Sequence, residues 1–160
     1  MFSNIFLIVP NILCFISLFN HEFKREDYYF LFLSIFISSL YNISIKRKGY
    51  SGISFSDDFH ELIFTCEKSM IIACYYYIIK ALYMQPELFN TQVLNFLQFS
   101  LYFTFIEESN IIYKGLYSQD YINLGRTGFF IIHSLSRFTL FALLIRILSE
   151  DFILNASRVS

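Results

Sequence analysis

Residues 62–94 read LIFTCEKSMIIACYYYIIKALYMQPELFNTQVL. The first part is apolar enough for a membrane span, yet Glu67 and Lys68 stand inside it. A charge at mid-bilayer costs roughly 2.5–3.5 kcal/mol on insertion scales, so such residues survive where they face protein or water. Glu67 lies about eight residues into its span, or ~12 Å at the helical rise. That is too deep for a short carboxylate to reach the interface, whereas the longer stem of Lys68 can snorkel. Helical neighbours point about 100° apart and need not pair with each other. The expectation is a Glu67 hydrogen-bonded to a neighbouring span. The other readings are a bound lipid, a partner subunit, or a direct role in proton transfer.

The rest of the chain supports a membrane setting. Of 160 residues, 56% are hydrophobic and 16% charged, where a soluble domain carries about a quarter charged residues. Mean hydropathy is +0.51. The net charge of -1 implies no basic surface for nucleic acid. Three cysteines, Cys14, Cys66 and Cys74, lie in apolar runs, against a disulfide framework or a zinc ribbon. Ile, Phe, Tyr, Asn and Ser abound, Ala and Gly are scarce, and Trp is absent. That bias is expected of a very A+T-rich genome, as in an organelle or a reduced symbiont.

Hydropathy divides the chain into about five spans, at about 4–19, 28–45, 59–84, 91–106 and 127–148. The expected fold is all-α, a single polytopic transmembrane helix bundle. MFSNIFLIVPNILCFISLF lacks a basic leader and a small-residue cleavage site, so it reads as a first span rather than a removed signal peptide. It carries no Arg-rich transit peptide, so an organelle location would mean synthesis inside the organelle. Pro86 in QPEL (85–88) fits a helix stop. Lys46, Arg47 and Lys48 form the densest basic loop. The positive-inside rule puts that loop, the N-terminus and the 107–126 loop on one side. Glu107 and Glu108 read as a solvated helix end, and Tyr75-Tyr76-Tyr77 as an interfacial belt or a packing surface. His133 and Arg137 sit at i and i+4 on one helix face, an arrangement suited to a shared anion.

In order along the chain stand Tyr50-Ser51-Gly52, Thr65-Cys66-Glu67, Pro86-Glu87-Leu88 and Asn90-Thr91. Together they resemble subunit III of cytochrome c oxidase, chiefly over residues 46–110. That family has a basic loop ending in Tyr-x-Gly, an in-membrane Glu, a Pro-Glu-Leu turn and an Asn-Thr helix start. Thr104, Glu108-Ser109-Asn110 and TGFFIIH (127–133) resemble later parts of the same family. The chain departs from it in lacking Trp and in the Phe105, Ile106 and Phe130 that stand near expected His positions. It also shows five spans where the family has seven, which implies a shortened version.

The resemblance implies a non-catalytic subunit that supports assembly, lipid binding and sustained proton-coupled electron transfer. It implies no cofactor bound by this chain, with haem and copper in partner subunits, above all a catalytic oxidase subunit. Glu67 would be the intramembrane carboxylate. Lys46, Arg47, Lys48, Arg126, His133 and Arg137 would be phospholipid headgroup contacts, since phosphate suits cationic partners. The implied location is a mitochondrial inner membrane or a bacterial plasma membrane.

Two other readings stand beside it. One is another hydrophobic subunit of a mitochondrial respiratory or ATP synthase complex, which composition supports equally. The other is a degenerate zinc-dependent membrane hydrolase. SSLYNIS (38–44), SDDFH (56–60) and HSLSR (133–137) resemble the group that includes alkaline ceramidases. In that pattern Asn42 and Arg137 stand where His is wanted, leaving His133, with His60 near an interface. Zinc sites usually take three protein ligands plus water.

Overall fold

In the computed structural model of the chain, residues 12–14, 16, 23–47, 57–116 and 125–159 are described. Four long helices account for most of them: α1 Arg25–Arg47, α2 Asp57–Met84, α3 Thr91–Leu116 and α4 Gly125–Val159. A single 3-10 turn, Pro86–Leu88, joins α2 to α3, and residues 12–14 and 16 are also helical. No strand occurs among the described residues, so the fold class is all-α, as the composition leads one to expect.

The ends have local causes. Glu26 and Asp27 lie in the first turn of α1, where negative charge complements the helix dipole. Pro86 opens the 3-10 turn, a position where its missing N–H costs nothing. Asn90 caps α3, its Oδ1 accepting from the Val93 N–H at 3.0 Å.

The helices do not stop where the apolar runs stop. The apolar run at 91–106 lies within α3, which continues to Leu116. The run at 127–148 lies within α4, which continues to Val159. Glu, Asn, Lys and Arg are tolerated in a helix, so hydropathy sees the apolar segment and not the helix. Two segments, Glu61–Met84 and Ile131–Asp151, are long and apolar enough to cross a membrane by length and composition. α1 and α3 are long enough, but Ser34, Ser38, Ser39 and Asn42 interrupt one, and Gln92, Asn95, Gln98 and Ser100 the other. The expected span at 4–19 falls mostly outside the described residues.

α4 is the centre of the bundle. It packs mainly on α3 and also touches α1 and α2, while α1 and α2 pack on each other. Leu140, Phe141, Leu143, Leu144, Ile147 and Leu148 are all buried along it, which makes it apolar nearly all round. Leu31 and Ile35 from α1, Met70, Cys74 and Ile78 from α2, and Val93 from α3 join the same core. Ser34 lets α1 approach α2 closely, its Oγ 3.9 Å from the Cys74 Sγ. Hydroxyls inside the bundle bond back to their own helices. Ser34 donates to the Phe30 carbonyl and Thr139 to the Leu135 carbonyl, each at 2.8 Å.

The polarity of the bundle is inverted. Tyr83 is 86% exposed, Phe105 73% and Ile72 70%, while Glu67, Glu107 and His133 are 0% exposed. On α2 the outward residues Leu62, Ile72, Tyr76, Ile79 and Tyr83 form an apolar face. Charged residues almost never become fully buried in a protein without partners. The next question is what holds them.

Candidate functional site

Three helices bring ionisable side chains to one place. α2 contributes Glu67, α3 contributes Glu107, and α4 contributes His133 and Arg137. The Arg137 Nε donates to Glu67 Oε1 at 2.5 Å. Its Nη2 donates to Glu107 Oε1 at 3.0 Å, and its Nη1 donates to the Ser136 Oγ at 2.9 Å. The fork geometry of a guanidinium suits this task, because one rigid cation serves two carboxylates at once. Glu107 Oε1 also lies 2.6 Å from His133 Nδ1. His133 and Arg137 therefore share an anion, as their i, i+4 spacing implied, and the anion is a carboxylate of the same chain.

The cluster has an edge and a tail. Lys68 pairs with Glu108, and its Nζ lies 3.9 Å from Glu67 Oε2 and 3.8 Å from Glu107 Oε1. Lys68 and Glu108 are partly exposed, so this pair marks the edge. From Ser136 a chain of hydroxyls links α4, α3 and α2: Thr104 Oγ1 is 2.8 Å from Ser136 Oγ, and Tyr75 Oη is 2.8 Å from both Thr104 Oγ1 and Ser100 Oγ. Ser100, Thr104 and Glu107 fall at i, i+4 and i+7, one stripe of α3. The Tyr41 ring of α1 closes the cluster over His133, with centroids 5.4 Å apart.

Two carboxylate oxygens in this site, Glu67 Oε2 and Glu107 Oε2, are buried and accept no hydrogen bond. Each carboxylate accepts its hydrogen bonds through Oε1. Breaking a buried pair by removing one partner costs about 3–5 kcal/mol, because the other charge is stranded. The arrangement therefore fastens α2, α3 and α4 together, and it can also hold a proton.

The residues singled out from sequence are distributed unevenly. Glu67, His133 and Arg137 come together. Read as lipid-headgroup contacts, His133 and Arg137 are buried and engaged by carboxylates within the chain. Lys48 lies outside the described residues, as do the side chains of Lys46, Arg47 and Arg126. Glu107 is a correction: it reads as a solvated helix end but is fully buried, because α3 continues past it and turns it towards α4. Tyr75 likewise ties α2 to α3, rather than serving only as an aromatic surface. The i, i+4, i+7 stripe on α3, opposed to His133 and Arg137, was the signal for both.

Among the described residues no group of three or more His, Cys, Asp or Glu is placed to hold a metal ion. Cys14, Cys66 and Cys74 are free thiols. Compared with known proteins, the chain matches no family model, no curated protein and no solved structure.

Proposed function

We propose that the chain is a non-catalytic membrane subunit of the respiratory chain, similar to subunit III of cytochrome c oxidase. It supports assembly, lipid binding and sustained proton-coupled electron transfer in partner subunits that carry haem and copper. One observation carries this reading. Glu67, the residue that the resemblance makes the intramembrane carboxylate, is fully buried in an apolar helix and held by Arg137. The inverted polarity supports the membrane part of the reading. Water does not reward an outward face of Ile72, Tyr76, Ile79 and Tyr83, whereas lipid or a neighbouring subunit does. The location proposed is a mitochondrial inner membrane, or the plasma membrane of a bacterium.

A second reading has an observation of its own. Ionisable residues inside a membrane bundle commonly mark proton pathways, and this cluster needs no resemblance to be recognised. That suits another hydrophobic subunit of a respiratory or ATP synthase complex.

The test is purification of the tagged chain in mild detergent, followed by an optical spectrum of what accompanies it. A large complex with haem a absorbance supports the oxidase reading. A large complex without haem a transfers the assignment to the second reading. A small free protein carrying stoichiometric zinc removes both and returns the degenerate hydrolase.

A further inference from the structure

The four innermost ionisable side chains do not balance. Glu67, Glu107 and His133 are 0% exposed and Arg137 is 1% exposed. Two carboxylates therefore share a single permanent cation. The Lys68–Glu108 pair at the edge contributes one charge of each sign and leaves the deficit unchanged. An uncompensated charge in a low-dielectric interior is expensive, and such a site neutralises itself by taking up or releasing a proton. One proton closes the balance, and His133 Nδ1 and Glu107 Oε1, 2.6 Å apart, are placed to share it.

The surroundings agree. From α1 the site is faced by Tyr41, from α2 by Glu67, Lys68, Cys74 and Tyr75, from α3 by Glu107 and Glu108, and from α4 by Arg137. Among the described residues facing the site, the tyrosines and the thiol carry no positive charge, so none of these supplies the missing one. Glu107 Oε2 and Glu67 Oε2, buried without hydrogen bonds, show that the site is short of donors. A groove of about 700 Å³ reaches the edge of the cluster, and Lys68, Tyr75, Thr104 and Glu108 line it.

We propose that His133 and Glu107 form a proton-binding site in the interior of the bundle, holding one exchangeable proton that compensates Glu67 and Glu107 beside Arg137. The step is a transfer along one hydrogen bond. The proton leaves Nδ1 of the imidazolium for the carboxylate, or returns, and Arg137 keeps its charge throughout. This inference goes beyond the respiratory assignment and does not depend on which complex holds the chain.

The test uses the full-length chain with 15N-labelled histidine in lipid. Nitrogen chemical shifts distinguish imidazolium from neutral imidazole, and His133→Gln identifies the resonance among the three histidines. At neutral pH the folded chain is expected to show His133 as an imidazolium hydrogen-bonded through Nδ1 to Glu107. Glu107→Gln removes the carboxylate that the proton compensates and should give the neutral imidazole. A neutral His133 accompanied by a protonated-carboxyl infrared band that disappears in Glu107→Gln also supports the site, with the proton on the other partner. A neutral His133 without such a band overturns it. So does an imidazolium that persists unchanged in Glu107→Gln.

Discussion

Arg137 on α4 reaches across the bundle to Glu67 on α2, seventy residues earlier, and bonds it through Nε at 2.5 Å. No element of the sequence between them predicts this pairing. It explains why an acid can stand inside an apolar helix, and it makes α4 dependent on α2.

Replacing Arg137 with Met strands two buried carboxylates, and the expected loss is about 3–5 kcal/mol. Thermal unfolding in detergent reads it. Arg137→Lys should fall between, since an ammonium cannot fork to both acids. The double variant Glu67→Gln/Arg137→Met should recover part of the loss. Additive losses in that cycle would mean the two side chains are not coupled.

The hydroxyl chain predicts a smaller effect. Tyr75→Phe removes the bonds to Ser100 and Thr104 and should destabilise the bundle by about 1–3 kcal/mol. Tyr76→Phe, one residue on and outward-facing, should be close to neutral. Equal effects at the two positions would argue against the observed rotation of α2.

The outward face of α2 is open to a topological test. Ile79→Lys puts a charge on a 65% exposed apolar position, and in a membrane it should cost roughly 2.5–3.5 kcal/mol. The carbonate-resistant fraction of the expressed chain should fall. If Ile79→Lys instead raises soluble yield with the fold intact, the face meets water.

Thiol chemistry checks the packing of α1 on α2. Cys66 is partly exposed and Cys74 is fully buried. A membrane-permeant maleimide should label Cys66 first and reach Cys74 only on unfolding. Comparable rates would mean that Ser34 does not close over Cys74.

Much of the helical class was legible because apolar runs and Pro86 are local signals. Glu67 was legible as an anomaly for the same reason. Its partner was not, since nothing local to residue 67 points to residue 137. Glu107 was misread because hydropathy places a boundary at Ile106, while the backbone continues as α3 to Leu116. His133 and Arg137 were legible as a pair sharing an anion, and only the fold could show that the chain supplies that anion itself. The extra turns of α3 and α4 escaped notice because polar residues can propagate a helix without announcing it.

The shared guanidinium has an evolutionary corollary. Losing Arg137 alone takes away the guanidinium that Glu67 and Glu107 share, and losing one acid alone alters what His133 must carry. Drift at these four positions is therefore constrained to move in concert. A related chain with an apolar residue in place of Arg137 should also have surrendered a carboxylate on α2 or α3.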